Sequence, residues 1–560
     1  MASLTKSKVL FGITSPRTLE KIIPEIRLLT DLFRDHNWSG NQPLQSDFFK
    51  SLFNSDFYKG SSYPADPALA ARDRITRAPK ALGFVDLKPT IQLTAIGKML
   101  LGRNRIDEVF TRQLLKFQLP SPYHTQSTKI EFKVKPYLEL LRLINDLGSI
   151  SKTEMALFFS QLTNIDKYPS IIAKITAFRY NAKRFTGSRK VYVGRCFEEE
   201  ILNIYSEEVE EGKLRTRESG DDTLKKFIKT KSSNMKDYSD AFSRYIRATE
   251  LITFQNRTFR LVISPQKIDE VNYILSNIDR VPTKFDSEKA FKKFLFSPKS
   301  LKLFSDDKKL IITKIKNLGQ TEVDKTLDIE NLKDILQLLQ EKIKTKNIAE
   351  RKRELKDRNE LPKIIEVFEK IKKKDIPDPP LFLEWNVWRA MVMLNYAKSV
   401  DGNFIMDIDG MPLNYAPGMK PDIEVEYDEF GLIVEVTMSS GNTQYKMESE
   451  PVPRHFGRAK EALGKEMYCI FIAPKISEGT LAHYFNLNKM NTRLYGGKTK
   501  IIPLTIEQFI QFVSAGVKDE FEEPAKLQNW LEEQWQSNLI CHDESVWSDK
   551  IRTSLLGWAA

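Results

Sequence analysis

The sequence predicts a multidomain chain with an α+β N-terminal half, a charged helical linker and a C-terminal α/β domain on a mixed sheet. Three observations carry this reading. At 560 residues the chain exceeds one core, since a folding unit typically takes about 150 residues. From about Lys284 to Lys374 it turns helical in pattern, charged and poor in glycine, as in "EKIKTKNIAERKRELKDRNELPKIIEVFEKIKKKD", which reads as a solvated helical linker. "DIPDPP", Asp375 to Pro380, then stops any helix, because each proline removes a donor and restrains the residue before it. The expected divisions are 1–135 and 136–283 for two N-terminal subdomains, 284–376 for the linker and 377–560 for the C-terminal domain.

In "TSPRTLEKIIPEIRLLTDLF", Ser15 is placed to cap a helix with Pro16 at its first position, and Leu19, Ile22 and Ile23 begin its apolar face. "DPALAARDRITRAPKALGFVDLKPTIQLTAIGKMLL" reads as a helix, a short ribbon around Lys88-Pro89 and another helix, which is the order of a winged helix. The pattern returns in "KPYLELLRLINDLGSISKTEMALFFSQL", where Gly148 ends one helix and Ser151, with Glu154 three residues on, opens another through a capping box. It returns again in "DYSDAFSRYIRATELITFQNRTFRLVI", a helix and two strand-like runs with Asn256 near the turn. The architecture repeats while the primary sequence does not. Past the prolines, "LFLEWNVWRAMVMLNYA" reads as a helix, "NFIMDID", "PDIEVEY", "GLIVEVT" and "YCIFIAP" as strands, and "RHFGRAKEAL" as the helix between the last two.

Lys and Arg number 87 against 75 Asp and Glu, a net charge of +12. That surplus favours an anionic partner, nucleic acid first. Cys196, Cys469 and Cys541 lie far apart with no CxxC pair, so neither a disulfide framework nor a structural zinc site is indicated, and a reducing compartment fits. "MASLTKSKVLFGITSP" lacks the apolar core of a signal peptide, and no segment is long and apolar enough to span a bilayer. The expectation is a soluble cytoplasmic protein with no membrane partner.

The chemistry is sought in "KPDIEVEYDEFGLIVEVTMSSG", Lys420 to Gly441. The two-residue period of a strand puts Ile433, Glu435 and Thr437 on one face. Asp422 begins a strand joined to this one by "YDEFG", so Asp422 and Glu435 converge if the two strands pair. Two converging carboxylates suit a hard divalent cation, with the Val436 carbonyl as a further oxygen ligand. The opposing reading is an ordinary strand start and a solvated glutamate. Glu384, on the preceding helix beside Trp385, Trp388 and Val392, is placed to act on such a metal through a water, and Glu448, near the start of the next helix, is placed to aim back at the same point. Together these are four acids from four successive elements.

The order Glu384 on a helix, Pro421-Asp422, then Glu435-Val436-Thr437 resembles the PD-(D/E)XK nuclease core, with Thr437 where a lysine is usual. "PLFLEWNVWRA", "DIDGMPLN", "KPDIE", "IVEVTMSSG", "VPRHFG", "YCIFIAPK" and "YGGKTKIIP" are similar to the AlwI-type type IIS restriction endonucleases, closest to the MlyI and PleI group and its related nicking endonucleases. The likeness extends to "SPRTLEKIIPEI", "DPALAARDRITRAPKALGF" and "LLKFQLPSPYHTQS". It implies an N-terminal DNA-recognition region, the helical linker and a Mg²⁺-dependent cleavage domain, with Glu384, Asp422, Glu435 and Glu448 as active-site acids. Thr437 leaves the usual lysine's task to Lys446, or to Glu448 with the metal. The implied activity is hydrolysis of double-stranded DNA a few base pairs outside a short asymmetric site of the GAGTC type. Its alternatives are a strand-specific nickase, the large subunit of a two-chain enzyme, and a DNA-binding regulator whose nuclease fold is inactive. Implied partners are DNA, a transient second copy or small catalytic subunit for the second strand, and a cognate methyltransferase in the same system without direct contact.

For DNA contact the densest candidates are Arg72, Arg74, Arg77 and Lys80 in "ARDRITRAPKALGF", a mixture of phosphate grips and at least one base contact from Arg72 to Arg77. Arg215 and Arg217, and Arg244 and Arg247, read as phosphate clamps or solvated surface. His124 is either a DNA contact or structural, and Arg454 and His455 lie near the proposed site, to contact the scissile backbone or simply to start a helix.

Overall fold

The computed structural model describes residues 4–58, 62–102, 105–124, 131–320, 322–416, 419–519 and 521–559. The chain forms two compact units, one running to Glu341 apart from a short segment at 59–62, the other from Lys342 on.

The first unit is mainly helical. Helix Pro67–Ala81 starts where Asp66 accepts the Leu69 N–H (2.8 Å) and Pro67 needs no partner, and it buries Ala71, Ile75 and Ala78 at helical spacing. Val85–Asp86 pairs antiparallel with Gln92–Leu93, and helix Ala95–Leu101 follows under a Thr94 cap. Gly97 makes that docking possible, since a Cβ there would stand 2.1 Å from the Phe84 carbonyl oxygen. Farther on, helix Pro136–Leu147 ends at Gly148, whose φ is +70°, and Ser151 and Glu154 close both bonds of the expected capping box. Helix Leu224–Arg247 then leads to strands Ile252–Phe254 and Leu261–Ile263, paired antiparallel, with Ile150 bridged to Leu261. The helix-and-hairpin order expected from sequence is present in the first and third stretches, whereas the second contributes two helices and, through Ile150, a single bridge to the third stretch's ribbon.

Two expectations fail in this half. Ser15 caps no helix: a 3₁₀ turn covers Leu19–Lys21 and the α-helix runs Ile22–Phe33. The Pro16 carbonyl instead accepts the Tyr245 hydroxyl (2.8 Å), a tertiary bond that competes with local capping. The stretch 284–376 is helical but not solvated throughout. Its helices include Lys308–Asn317 and Ile329–Glu354, whose Ile311, Ile315, Leu332 and Leu336 form a buried cluster. The boundary between the two units falls inside Ile329–Glu354.

The second unit carries a five-stranded mixed sheet. Its strands are β1 (Ser399–Gly402), β2 (Ile423–Glu426), β3 (Phe430–Val436), β4 (Glu466–Ala473) and β5 (Ile501–Thr505). They lie in the order β5-β4-β3-β2-β1. The pairs β1·β2 and β2·β3 are antiparallel, and β3·β4 and β4·β5 are parallel. Sequence reading had put "NFIMDID" in this sheet, but Ile405–Met406 pairs with Pro412–Asn414 in a separate ribbon, and Ser399–Gly402 takes the edge.

Helix α1 (Pro379–Met393) is buried from Leu381 to Met393 and ties to β1 through Trp388 Nε1, which donates to the Val400 carbonyl (3.2 Å). Between β3 and β4 stand two helices where one was expected, α2 (Gly441–Glu448) and α3 (Pro451–Leu463). α3 and α4 (Glu478–Leu487) cover one sheet face, packing Val452, Phe456 and Tyr484 on Ile433, Cys469 and Phe471. This burial, at roughly 25 cal/mol per Å² of apolar surface, holds the platform for the site.

Candidate active site

In β2 and β3, Ile423 stands opposite Val434 and Val425 opposite Leu432. One step back along that register brings Asp422 opposite Glu435, and opposed residues of an antiparallel pair share a face. The backbone confirms the approach, because Asp422 Oδ2 accepts the Val436 N–H (2.8 Å). Asp422 is half-buried and Glu435 is 6 % exposed.

Two carboxylates side by side repel, and hydrogen bonds to their charged forms offset that cost. Val436 supplies one such bond, and the Nδ1–H of buried His455, on the first turns of α3, donates the other to Glu435 Oε1 (2.7 Å). Sequence reading placed His455 near the site without naming this partner. A histidine twenty residues downstream, one turn into the helix that returns over the strand, was the available signal.

Cys469 and Tyr484 report the reach of the acids. Burial first, then the Glu435 and Asp422 charges, push the Cys469 thiol well above its ordinary value. Burial and then the Glu448 charge, followed by Cys469 and Glu435, do the same to the Tyr484 hydroxyl. Glu448 ends α2, and its main-chain carbonyl accepts the Tyr484 hydroxyl (3.2 Å). Glu384 is 7 % exposed on α1, and its Oε2 accepts the Ala416 N–H (3.3 Å) on the segment leading to Pro421-Asp422. Thr437 is buried and its hydroxyl accepts the Ser439 N–H (3.1 Å), closing its own turn. Lys446 is exposed and forms no ion pair among the described residues.

A residue that sequence reading missed holds the strand ends together. Gln444 is fully buried; its Nε2 donates to the Ser439 (3.0 Å) and Lys475 (2.9 Å) carbonyls and its Oε1 accepts the Ser477 N–H (2.7 Å). It ties the loop after β3 to the loop after β4. Arg454 pairs with Glu450 (3.0 Å), and the guanidinium of Arg458 reaches Met419 Sδ (3.6 Å) just before Asp422.

The donor set fits a hard cation. Asp422, Glu435 and a strand-end carbonyl offer oxygen donors, and burial and the two acids hold the nearby Cys469 thiol neutral. Among the described residues no three His, Cys, Asp or Glu come together as a group that could hold a metal ion, so the pair Asp422 and Glu435 is the acidic core of the site.

In the first unit the predicted DNA-contacting cations occupy several environments. Arg72 donates to Gln45 Oε1 (2.9 Å), Arg74 is ion-paired with buried Glu25, and Arg77 meets Asp73 (2.7 Å) and Thr14. Lys80 lies 4.8 Å from the Tyr123 ring centroid, and burial, then Lys88, lowers its pKa. Arg244 pairs with Asp240, and Arg247 is buried 4.1 Å over the Phe254 ring. Arg215 and Arg217 are exposed on an irregular segment. His124 bonds Ser121 (2.9 Å), and burial brings its pKa down to about 4.

Residues 80–512, well over half the chain, match the family model described as AlwI restriction endonuclease. No curated protein matches significantly. Among solved structures, the small subunit (R.BspD6I2) of the heterodimeric restriction endonuclease R.BspD6I is 28 % identical, covering 34 % of this chain and 98 % of that one at a TM-score of 0.31. The BpuJ1 endonuclease binding domain, in complex with pyrene- and phenanthrene-modified DNA, is 14 % identical, covering 52 % and 96 % at a TM-score of 0.34. Neither score bears on function, and the family match and the site geometry remain.

Proposed function

Since the chain belongs to the AlwI restriction endonuclease family, of site-specific DNA endonucleases, we propose that it is a type IIS enzyme cutting a few base pairs outside a short asymmetric site of the GAGTC type, with a PD-(D/E)XK cleavage domain. The single observation that carries the cleavage assignment is Asp422 opposite Glu435 on paired strands, each carboxylate held by a directed N–H. The order α1, three antiparallel strands, helices and a parallel strand supports it.

Asp422, Glu435 and the Val436 carbonyl would hold Mg²⁺, with Glu384 and Glu448 completing the acidic set. When bound, the cation would polarise a phosphoryl oxygen and acidify a water. The chain's own part is positional: His455 fixes the Glu435 carboxylate, and the Val436 N–H fixes Asp422. Thr437 is turned to Ser439, which leaves the task of the usual lysine to Lys446 or to Glu448 with the cation.

Recognition belongs to the first unit, whose helix-and-hairpin groups we read as winged helices. Arg72, Arg74, Arg77, Lys80, Arg215, Arg217, Arg244 and Arg247 are its proposed DNA contacts. One carboxylate site cuts one strand in one orientation, so double-strand cleavage calls for a second copy or a small catalytic subunit. The second reading, a strand-specific nickase or the large subunit of such a pair, is favoured by this same single site. An inactive regulator would need no such paired acids. The test is plasmid incubated with the chain and Mg²⁺, with breaks mapped on both strands. Breaks at a fixed offset from one sequence support the reading, breaks on one strand select the nickase, and intact plasmid at saturating enzyme rejects an active nuclease.

A further inference from the structure

From Lys167 to Phe197 the chain carries eight Lys and Arg and no Asp or Glu, in a protein whose charges elsewhere are nearly balanced. The segment is a helical hairpin. Helix Tyr168–Arg184 and helix Arg189–Ile204 are joined by the four residues Phe185 to Ser188.

The cations divide by position. At the base of the hairpin they are used inside the fold, Lys174 on Glu200 (2.7 Å) and Arg179 on Glu154 (2.9 Å). At the tip, Lys183, Arg184, Arg189, Lys190 and Arg195 are all exposed, and among the described residues none has a carboxylate partner. Arg184 meets only the Tyr180 side chain, and Arg195 lies 5.6 Å from the Phe185 ring centroid.

The tip is also built to hold its shape. Phe178 stacks on Tyr192 (5.2 Å), Tyr192 packs on Phe185 (5.3 Å), and the Tyr192 hydroxyl donates to the Phe178 carbonyl (3.0 Å). A stiff support lowers the ordering cost of any contact made at its end. Its charges, however, oppose the stability of the helix that bears them. The first turn of the second helix contains Arg189 and Lys190 and no acid, whereas a helix N-terminus carries a partial positive charge that disfavours cations. The C-terminal end of the first helix offsets part of the Lys183 and Arg184 charge, but Arg189, Lys190 and Arg195 have no carboxylate partner among the described residues.

Their spread argues for an extended polyanion over a single small anion. Arg189 and Arg195 are six residues apart, about 9 Å along a helix axis, and Lys183 and Arg184 stand on the other arm. That spacing exceeds one phosphate group and is shorter than a turn of duplex, about 34 Å. We propose that the tip of this hairpin, residues 183–195, is a clamp for the phosphodiester backbone of DNA, adding sequence-independent affinity outside the residues that read the site. The proposal rests on the reading of the chain as a DNA endonuclease.

The clamp makes a specific demand on salt dependence, because each phosphate neutralised steepens the fall of log K with log salt by about 0.9. The full chain, in EDTA to prevent cutting, is titrated against two 30-base-pair duplexes at several salt concentrations, one bearing GAGTC and one lacking it. The variant Lys183→Ala/Arg189→Ala/Lys190→Ala should flatten the slope by about 2.7 on both duplexes and weaken binding to both by the same factor. The charge-preserving variant Lys183→Arg/Arg189→Lys/Lys190→Arg should keep the wild-type slope. An unchanged slope in the alanine variant overturns the clamp, as does a loss confined to the GAGTC duplex, which would make these residues base readers. If the wild-type chain itself binds neither duplex, the endonuclease reading falls and the clamp with it; an unchanged slope against normal wild-type binding rejects the clamp alone.

Discussion

The two units use charge in opposite ways. In the second, acids from separate elements approach one another at a strand end, and what steadies them is a backbone N–H and a histidine. In the first, the buried glutamates Glu25, Glu139 and Glu154 are each held by an arginine. Glu154 alone, 1 % exposed, accepts from Arg179 (2.9 Å), Arg260 (2.6 Å) and the Ser151 N–H (2.8 Å). Arg74 is held by Glu25 and Arg112 by Glu108 (2.7 Å) and Asp306 (2.7 Å). Unbalanced like charge points to chemistry, while balanced charge with good geometry points to architecture. Basic side chains of the first unit cannot therefore be ranked as DNA contacts by density alone.

The sharpest break of this contrast is Glu154→Ala. It strands two partly buried guanidiniums and removes a cap, so the first unit should lose about 3–5 kcal/mol, while the transition of the second stays in place. Scanning calorimetry of the full chain reads both, and a shift of the two transitions together would show that they unfold as one.

His455→Ala comes next, expected to lower kcat about 10–100-fold through a misaligned Glu435. His455→Asn, which can donate from a similar position, should recover part of the loss. Equal activity of all three proteins would reduce the 2.7 Å bond to packing.

A smaller effect is expected from Arg215→Ala/Arg217→Ala, about 1 kcal/mol in binding with no change in stability, because both are exposed. Arg74→Ala should do the reverse, costing stability by leaving Glu25 buried without its cation. Urea melts and gel shifts on the same preparations separate the two, and matching profiles would erase the distinction.

A change of pH separates the two units without any substitution. In the first unit burial lowers the pKa of several lysines, Lys116 to about 7, with Arg112 adding to it, and Lys135 and Lys236 in the same direction. Where the folded value lies below the unfolded one, the unfolded chain holds more protons, so stability rises with pH between them. In the second unit the raised Cys469 thiol works the other way above its ordinary range. From pH 7 to 9.5 the midpoint of the first unit should therefore rise relative to the second, and a parallel drift of both would contradict this.

How much was legible follows from the range of each interaction. The Ser151–Glu154 capping box is local, and so is the two-residue strand period that set Glu435 against Asp422 across a short turn. Their partners lie within reach of sequence rules. The His455–Glu435 bond spans twenty residues and Gln444–Ser477 thirty-three, and each depends on how a helix packs after the strands have formed. Ser15 failed as a cap because Tyr245, 229 residues away from Pro16, takes the segment. The charged stretch around Lys333 looked solvated because its partners, Glu108 and Asp306, are distant in sequence or beyond a turn.

If cutting resides in Asp422 and Glu435 and binding elsewhere, the two must separate in one protein. The direct measurement takes one preparation of Asp422→Asn, which keeps size and removes charge, and determines on the same duplex its affinity in Ca²⁺ and its single-turnover cleavage in Mg²⁺. Its affinity should stay within about twofold of wild type while cleavage falls by about 10³-fold or more. Cleavage within tenfold of wild type, or affinity and cleavage lost together in a folded protein, would contradict that separation.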